Sequence, residues 1–72
     1  MHNYRELVNS KSRDEWISLI DAWVHDERDR AMLRRKLLDN ITLESLAEEF
    51  NMSTVGTKKR VSRAREQLFS HL

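Results

Sequence analysis

The sequence contains no cysteine, no proline and a single glycine, Gly56. Without cysteine the chain can form neither disulfides nor thiolate metal sites, and nothing points to an oxidising compartment. Without proline, and nearly without glycine, almost every long segment is free of helix breakers. The sequence therefore predicts an all-α fold, a small helical domain of four to five helices without a β wing.

Long apolar runs are missing as well. No stretch approaches the ~20 apolar residues that a membrane span needs, and the first residues contain no apolar run of signal-peptide length. We therefore expect a soluble, cytoplasmic protein. Its 72 residues give room for one domain with a small core.

Sequence patterns for catalysis are also absent. There is no glycine-rich phosphate loop, no nucleophile motif and no metal signature. The three histidines, His2, His25 and His71, are too scattered to form a metal site on their own. We expect no cofactor, no metal and no enzymatic activity.

Positive charge is concentrated at one end of the chain. Residues 1–52 carry eight basic and eleven acidic side chains, whereas residues 53–72 carry five basic and one acidic, a net charge of +4. All five basic residues of the second segment fall within residues 58–65. Such a basic segment on a near-neutral chain is typical of a local anion-binding surface.

Residues 1–25 are predicted to form an N-terminal helical extension that packs on the core. A short leading helix is expected from Asn3 to Val8. A second helix should begin after Ser12, because Ser12 and Glu15 have the spacing of a capping box, in which each side chain accepts a hydrogen bond from a free backbone amide.

Residues 26–72 are predicted to form the main helical domain. Asp26 is expected to cap its first helix, in which Leu33 and Leu37 lie one turn apart. Basic residues in the last turns of this helix suit the negative end of its dipole.

Two further helices follow, joined by a turn of three or four residues. Thr42 is the expected N-cap of the first. Asn51 tolerates the left-handed conformation that ends a helix, and Ser53 can cap the last helix, expected from about Thr54 to Leu68. This layout is that of a helix-turn-helix.

The last helix divides into two faces at about 100° per residue. The predicted buried face consists of Thr57, Val61, Ala64 and Leu68. On the opposite side lie Val55, Lys59 and Ser62, with Lys58 and Arg63 flanking them. A basic helix end is often no more than a solvated surface, but the clustering of charge beside a capped helix and a short turn favours DNA binding.

The exposed face of the last helix suits insertion into the major groove of DNA. The flanking cations would neutralise phosphates, and the centre line near the helix start would meet base edges. The predicted DNA-binding residues are Ser53, Thr54, Val55, Lys58, Lys59, Arg60, Ser62 and Arg63.

The stretch from Arg28 to Leu68, "RDRAMLRRKLLDNITLESLAEEFNMSTVGTKKRVSRAREQL", resembles region 4 of bacterial sigma factors, the domain that reads the promoter −35 element. It is also similar to small sigma-like proteins of phages and mobile elements in Gram-positive bacteria. The likeness lies in "ITLESLAEEF", a serine-capped turn and a basic helix ending in "SRAREQL". The resemblance implies base reading by Thr54, Val55, Lys58 and Lys59, and backbone contacts by Ser53, Arg60 and Arg63.

Two features depart from the family. Where the family often has Thr-Val after the turn, this chain has Gly56-Thr57, so either the helix begins differently or its backbone approaches a phosphate unusually closely. A complete sigma factor also needs the region that melts the −10 element, which 72 residues cannot hold together with region 4. The expected function is therefore sequence-specific DNA binding by a transcriptional regulator.

Trp16 and Trp23 are predicted core anchors and a candidate partner interface. Together they carry more apolar area than a three-helix domain readily covers, which allows a homodimer seam or docking to RNA polymerase. The alternative function is thus a protein-interaction module that binds RNA polymerase or a sigma factor without reading DNA. Its working surface would be this Trp-bearing helix and the acidic residues 44–49.

Overall fold

The structure, a computed structural model, describes residues 4–72, apart from the side chains of Tyr4, Arg5 and Leu7. This part of the chain is helical and contains no strand, which confirms the all-α prediction. Its helices are α1 (Tyr4–Asn9), α2 (Arg13–Trp23), α3 (Glu27–Leu37), α4 (Leu43–Glu49) and α5 (Thr54–Phe69). Asn3, the expected start of the leading helix, and His2 lie outside the described residues.

None of the helices within residues 4–72 combines the length and the apolarity required to span a bilayer.

Side-chain caps set the starts of the four longer elements. The N-cap residues of α2, α3, α4 and α5 are Ser12, Asp26, Thr42 and Ser53, as predicted. Each side-chain oxygen accepts a hydrogen bond from the backbone amide three residues further on, at 2.9 to 3.2 Å. At α2 the capping box is complete, because the Ser12 amide also donates to Glu15 Oε1 at 3.3 Å. Each cap satisfies a donor that the helix itself cannot pair.

One hydrophobic core joins α2 to the three helices that follow it. Its members come from both predicted segments, 1–25 and 26–72, and α2 packs against α3 and α5. The buried apolar core residues are Trp16, Ile20, Val24, Met32, Leu33, Leu37, Leu46, Ala47, Val61, Ala64 and Leu68. Because α5 packs against α2, α3 and α4, three neighbouring helices fix its orientation.

The two tryptophans of α2 have different surroundings. Trp16 is 1% exposed, and its Nε1 donates a hydrogen bond to the Val8 carbonyl at 2.7 Å. The prediction that Trp16 could form a partner interface is therefore wrong, because the ring already fills the core. Trp23, the last residue of α2, is 38% exposed and stacks on His71 with ring centroids 3.9 Å apart.

Residues 50–53 connect α4 to α5. Asn51 has φ 55°, the left-handed conformation predicted for it, and the next amide, that of Met52, donates to the Ala47 carbonyl at 2.8 Å. Asn40, which follows α3, has the same conformation at φ 54°. The short turn brings the end of α4 directly to the start of α5.

Candidate nucleic-acid interface

The inner face of α5, the side packed against the other helices, consists of the four residues predicted to be buried. Thr57, Val61, Ala64 and Leu68 are 0 to 2% exposed, so the helix is packed along the stripe that periodicity indicated. The buried hydroxyl of Thr57 donates a hydrogen bond to the Ser53 carbonyl at 2.8 Å. A threonine at this site therefore leaves no hydroxyl unsatisfied, since the preceding turn of the helix accepts it.

The opposite side of α5 faces solvent. Seven of the eight predicted DNA-binding residues are exposed there, and we call this set the outward face. Its members are Ser53, Thr54, Val55, Lys58, Lys59, Ser62 and Arg63. Val55, the apolar member of this set, is 66% exposed.

The cations of the outward face are unpaired. Lys58, Lys59 and Arg63 form no ion pair with any residue in the described part of the chain. Their charge is therefore available to an external anion rather than spent inside the fold.

Arg60, the eighth predicted residue, is placed differently. Its Nη1 lies 2.9 Å from Asp29 Oδ1 and 3.8 Å from Asp26 Oδ1. The Asp29 side chain is only 7% exposed, so this pair joins α5 to the first turn of α3. No local pattern indicated it, because the partners are 31 residues apart in sequence.

The start of α5 presents free backbone donors. The Ser53 side chain accepts from the Gly56 amide, and the first intrahelical bond runs from the Thr57 amide to the Ser53 carbonyl at 2.9 Å. The amides of Thr54 and Val55 come before that bond and point out of the helix end, which also carries the positive end of the helix dipole. This end of α5 favours an anion.

Gly56 lies in the first turn of α5, and the helix begins at Thr54 as predicted. The φ angle of Gly56 is not positive. A Cβ atom at this position would lie 3.0 Å from Ser53 Oγ and 3.6 Å from Met52 Cε. The glycine therefore leaves room for the capping hydroxyl and the methionine beneath it.

Arg28 reaches the α4–α5 turn from α3. Its Nη2 donates a hydrogen bond to the Phe50 carbonyl at 2.8 Å, and the residue is exposed. It forms no ion pair within residues 4–72. Sequence patterns assigned no role to Arg28, since nothing local relates it to a turn 22 residues away.

A second charged surface lies across α2, α3 and α4. Arg35 binds Glu49 at 2.7 Å and Asp39 at 2.9 Å, and Arg13 binds Asp39 at 3.1 Å. We call these four residues the paired surface. Hydrogen bonds from Arg35 lower the pKa of both carboxyls, that of Asp39 further through Arg13, and the same bonds raise the pKa of Arg35. Here the positive charge is neutralised internally.

Among residues 4–72, no three histidine, aspartate or glutamate side chains are grouped so that they could hold a metal ion.

No family model matches the chain, and no curated protein or solved structure matches it either. The resemblance to sigma region 4 therefore stays a prediction, and the functional argument depends on the geometry of α5 and its neighbours.

Proposed function

We propose that the chain binds double-stranded DNA through the outward face of α5, inserted into the major groove, and that it regulates transcription by reading sequence there. One observation carries the proposal. Two unpaired cations, Lys58 and Arg63, flank a line of exposed side chains that includes a third, Lys59, on a helix whose other face is buried. In this arrangement α4 and α5, joined by residues 50–53, act as a helix-turn-helix.

The dimensions of α5 suit the groove. With side chains an α-helix is roughly 10–12 Å across, and the major groove of B-DNA is about 12 Å wide. The 16 residues of α5 give it a length of roughly 24 Å at 1.5 Å per residue. The outward face of its N-terminal half can therefore enter the groove while its inner face stays packed against α2, α3 and α4.

Phosphate contacts would come from the flanks and the helix start. Lys58 and Arg63 lie on either side of the outward face, at the positions that meet the two phosphate rims of the groove. The free amides of Thr54 and Val55 add neutral donors for a phosphate at the helix N-terminus. These contacts fix register and orientation, and they make binding dependent on salt.

Base contacts would come from the centre line. Val55 would contact a thymine methyl group, and Lys59 would donate to the acceptors of guanine. Thr54 can donate to a base or a phosphate through its hydroxyl. Since one such helix reads few base pairs, useful specificity requires a second copy or a second protein on the DNA.

Selection of bound sequences from a random pool of duplexes tests the proposal. Wild-type protein should enrich a short motif, and log affinity should fall linearly with log salt. Lys59→Ala should change the enriched motif, whereas Arg63→Ala should weaken binding to all duplexes alike. Absence of both enrichment and salt-dependent binding would refute DNA reading by α5.

The second candidate function is protein interaction, and the exposed ring of Trp23 favours it. Aromatic residues at 38% exposure are common anchors of interfaces, and Trp23 lies on α2, away from the outward face of α5. The partner would be RNA polymerase, a sigma factor or a second copy of the chain. Under this alternative, Trp23→Ala abolishes capture of polymerase while Lys59→Ala leaves it intact. DNA reading instead predicts that Trp23→Ala leaves duplex binding intact, while Lys59→Ala changes the enriched motif.

A further inference from the structure

We propose that Arg28, rather than Arg60, supplies a third cation that contacts phosphate beside Lys58 and Arg63, and that Arg60 is a positioning residue that holds α5 against α3. This inference rests on the proposed DNA binding of α5. It changes the composition of the binding surface, because one of its cations comes from a helix outside the α4–α5 pair.

Arg60 is withheld from phosphate by its neighbours. Its guanidinium pairs with Asp29, whose side chain is 7% exposed, and lies 3.8 Å from Asp26. Turning Arg60 toward DNA would leave the buried Asp29 carboxylate without its ion pair, which is costly in a poorly solvated site. Asp26 would also repel an approaching phosphate. The two carboxylates thus more than neutralise the single guanidinium.

Arg28 is held by a hydrogen bond to a neutral group and has no carboxylate partner among the described residues. Its partner is the carbonyl of Phe50, a neutral acceptor, so its positive charge remains uncompensated. A guanidinium carries five N–H donors, and this contact leaves several of them for the two-point binding of a phosphate. The contact also fixes the side chain in place, which reduces the entropy lost on binding DNA.

The anchor places Arg28 at the edge of the outward face. Phe50 is the C-cap of α4 and opens the turn that ends at Ser53, the cap of α5. The next residue along α3, Asp29, contacts Arg60 in the second turn of α5. Arg28 is therefore attached to the turn just before α5, while its neighbour Asp29 is attached to the second turn of α5. In a helix-turn-helix the first helix crosses the DNA backbone. With α4 as that helix, its C-terminal end, where Arg28 binds Phe50, would lie near phosphates.

Other basic residues of α3 that bind carbonyls do not share this position. Arg30 donates to the Val24 and His25 carbonyls before α3, and Lys36 donates to the Ile41 carbonyl before α4. Both side chains are half-buried, and the carbonyls that they bind lie in the loops before α3 and α4 rather than in the α4–α5 turn.

Three matched substitutions test the assignment, since each replaces one arginine by glutamine: Arg28→Gln, Arg60→Gln and Arg13→Gln. Binding to a labelled duplex is measured across salt concentrations, and urea unfolding is followed by circular dichroism. Arg28→Gln should reduce the magnitude of the log affinity against log salt slope by about 0.9, with an unchanged urea midpoint. Arg60→Gln should lower the urea midpoint and leave the slope unchanged wherever the protein is folded. Arg13→Gln, on the paired surface, should leave the slope unchanged.

Arg28→Lys is the control that restores the charge. It keeps the positive charge but loses the planar guanidinium, so the slope of log affinity against log salt should return to the wild-type value. The assignment is overturned if Arg28→Gln leaves the slope unchanged, or if Arg60→Gln reduces it by about 0.9 without moving the urea midpoint. If Arg60→Gln fails to fold, the salt slope of Arg28→Gln still shows whether Arg28 contacts phosphate. Failure of the wild-type protein to bind any duplex would instead refute the proposed function, so the two failures are distinguishable.

Discussion

The outward face of α5 and the paired surface of α2, α3 and α4 use the same kind of side chain in opposite ways. On the paired surface two arginines meet two carboxylates at 2.7 to 3.1 Å, and every pair but one joins different structural elements. On the outward face Lys58, Lys59 and Arg63 meet no carboxylate among the described residues. The two surfaces therefore differ in whether their cations are paired, and the proposed function assigns DNA binding to the unpaired one.

Arg60 and Arg28 show the same contrast. By sequence Arg60 belongs to the basic cluster, yet it is bound to Asp29. Arg28 lies in a segment with more acidic than basic residues, yet it has no ion-pair partner within residues 4–72. Local charge density alone would predict the opposite pairing for each of these two arginines.

The largest effect is expected from truncation of the buried face of α5. Leu68→Ala removes a side chain that is 0% exposed and should lower the free energy of unfolding by about 2–5 kcal/mol. Val55→Ala, on the same helix but 66% exposed, should change it by less than about 0.5 kcal/mol. Urea unfolding measures both. A comparable loss in the two variants would show that α5 does not have one inner and one outward face.

Neutralising the cations of the outward face should weaken DNA binding, and neutralising those of the paired surface should lower stability, with effects of intermediate size. Lys58→Gln with Arg63→Gln removes two phosphate contacts, so the salt slope should fall by about 1.8 and affinity near 0.1 M salt by roughly 10- to 100-fold. The urea midpoint should stay unchanged. Arg13→Gln with Arg35→Gln, the matched pair on the other surface, should lower the urea midpoint and leave the slope unchanged. Equal loss of DNA affinity in both double variants would remove the distinction between the surfaces.

The cap of α5 should show a smaller effect that separates stability from binding. Ser53→Ala removes the acceptor of the Gly56 amide and should lower the free energy of unfolding by about 1 kcal/mol. Ser53→Asp keeps an acceptor and adds a charge that suits the helix dipole, so stability should be retained. Its negative charge should nevertheless weaken DNA binding at the helix start.

Ser12→Ala is the control for this cap, since it removes the equivalent acceptor at α2, far from the outward face. It should cost similar stability and leave affinity for DNA unchanged in the folded protein. Retention of full DNA affinity by Ser53→Asp would show that no phosphate approaches the start of α5.

The smallest effect concerns pH and the paired surface. Hydrogen bonds from Arg35 hold the pKa values of Asp39 and Glu49 below their ordinary 3.8 and 4.5. The folded protein therefore binds fewer protons than the unfolded chain in this range, and stability is present above these ordinary values and lost as pH falls through the lowered ones. The urea midpoint should decline from about pH 5 downwards, and Arg35→Gln should make that decline shallower. An unchanged pH profile in Arg35→Gln would show that these ion pairs do not stabilise the fold.

Local features of the fold could be predicted from the sequence because their causes are local. The caps Ser12, Asp26, Thr42 and Ser53 act on amides three residues away, within the reach of a short pattern. The buried face of α5 follows from helical periodicity alone, because every fourth or third residue returns to the same side.

Features that depend on contacts between helices could not be predicted in this way. Trp16 and Trp23 lie seven residues apart on one helix, so periodicity treats them alike. Only the packing of α1 and α5 around the start of α2 explains why one is buried and the other 38% exposed. The Arg60–Asp29 pair and the Arg28–Phe50 contact span 31 and 22 residues, and no short pattern encodes them.

Amide chemical shifts of isotope-labelled protein titrated with duplex DNA test the central claim most directly. DNA reading by α5 predicts that the largest shifts fall on residues 53–63 and on Arg28, with small shifts around Trp23. Shifts centred on α2 and α4, or no saturable shifts at low salt, would contradict it.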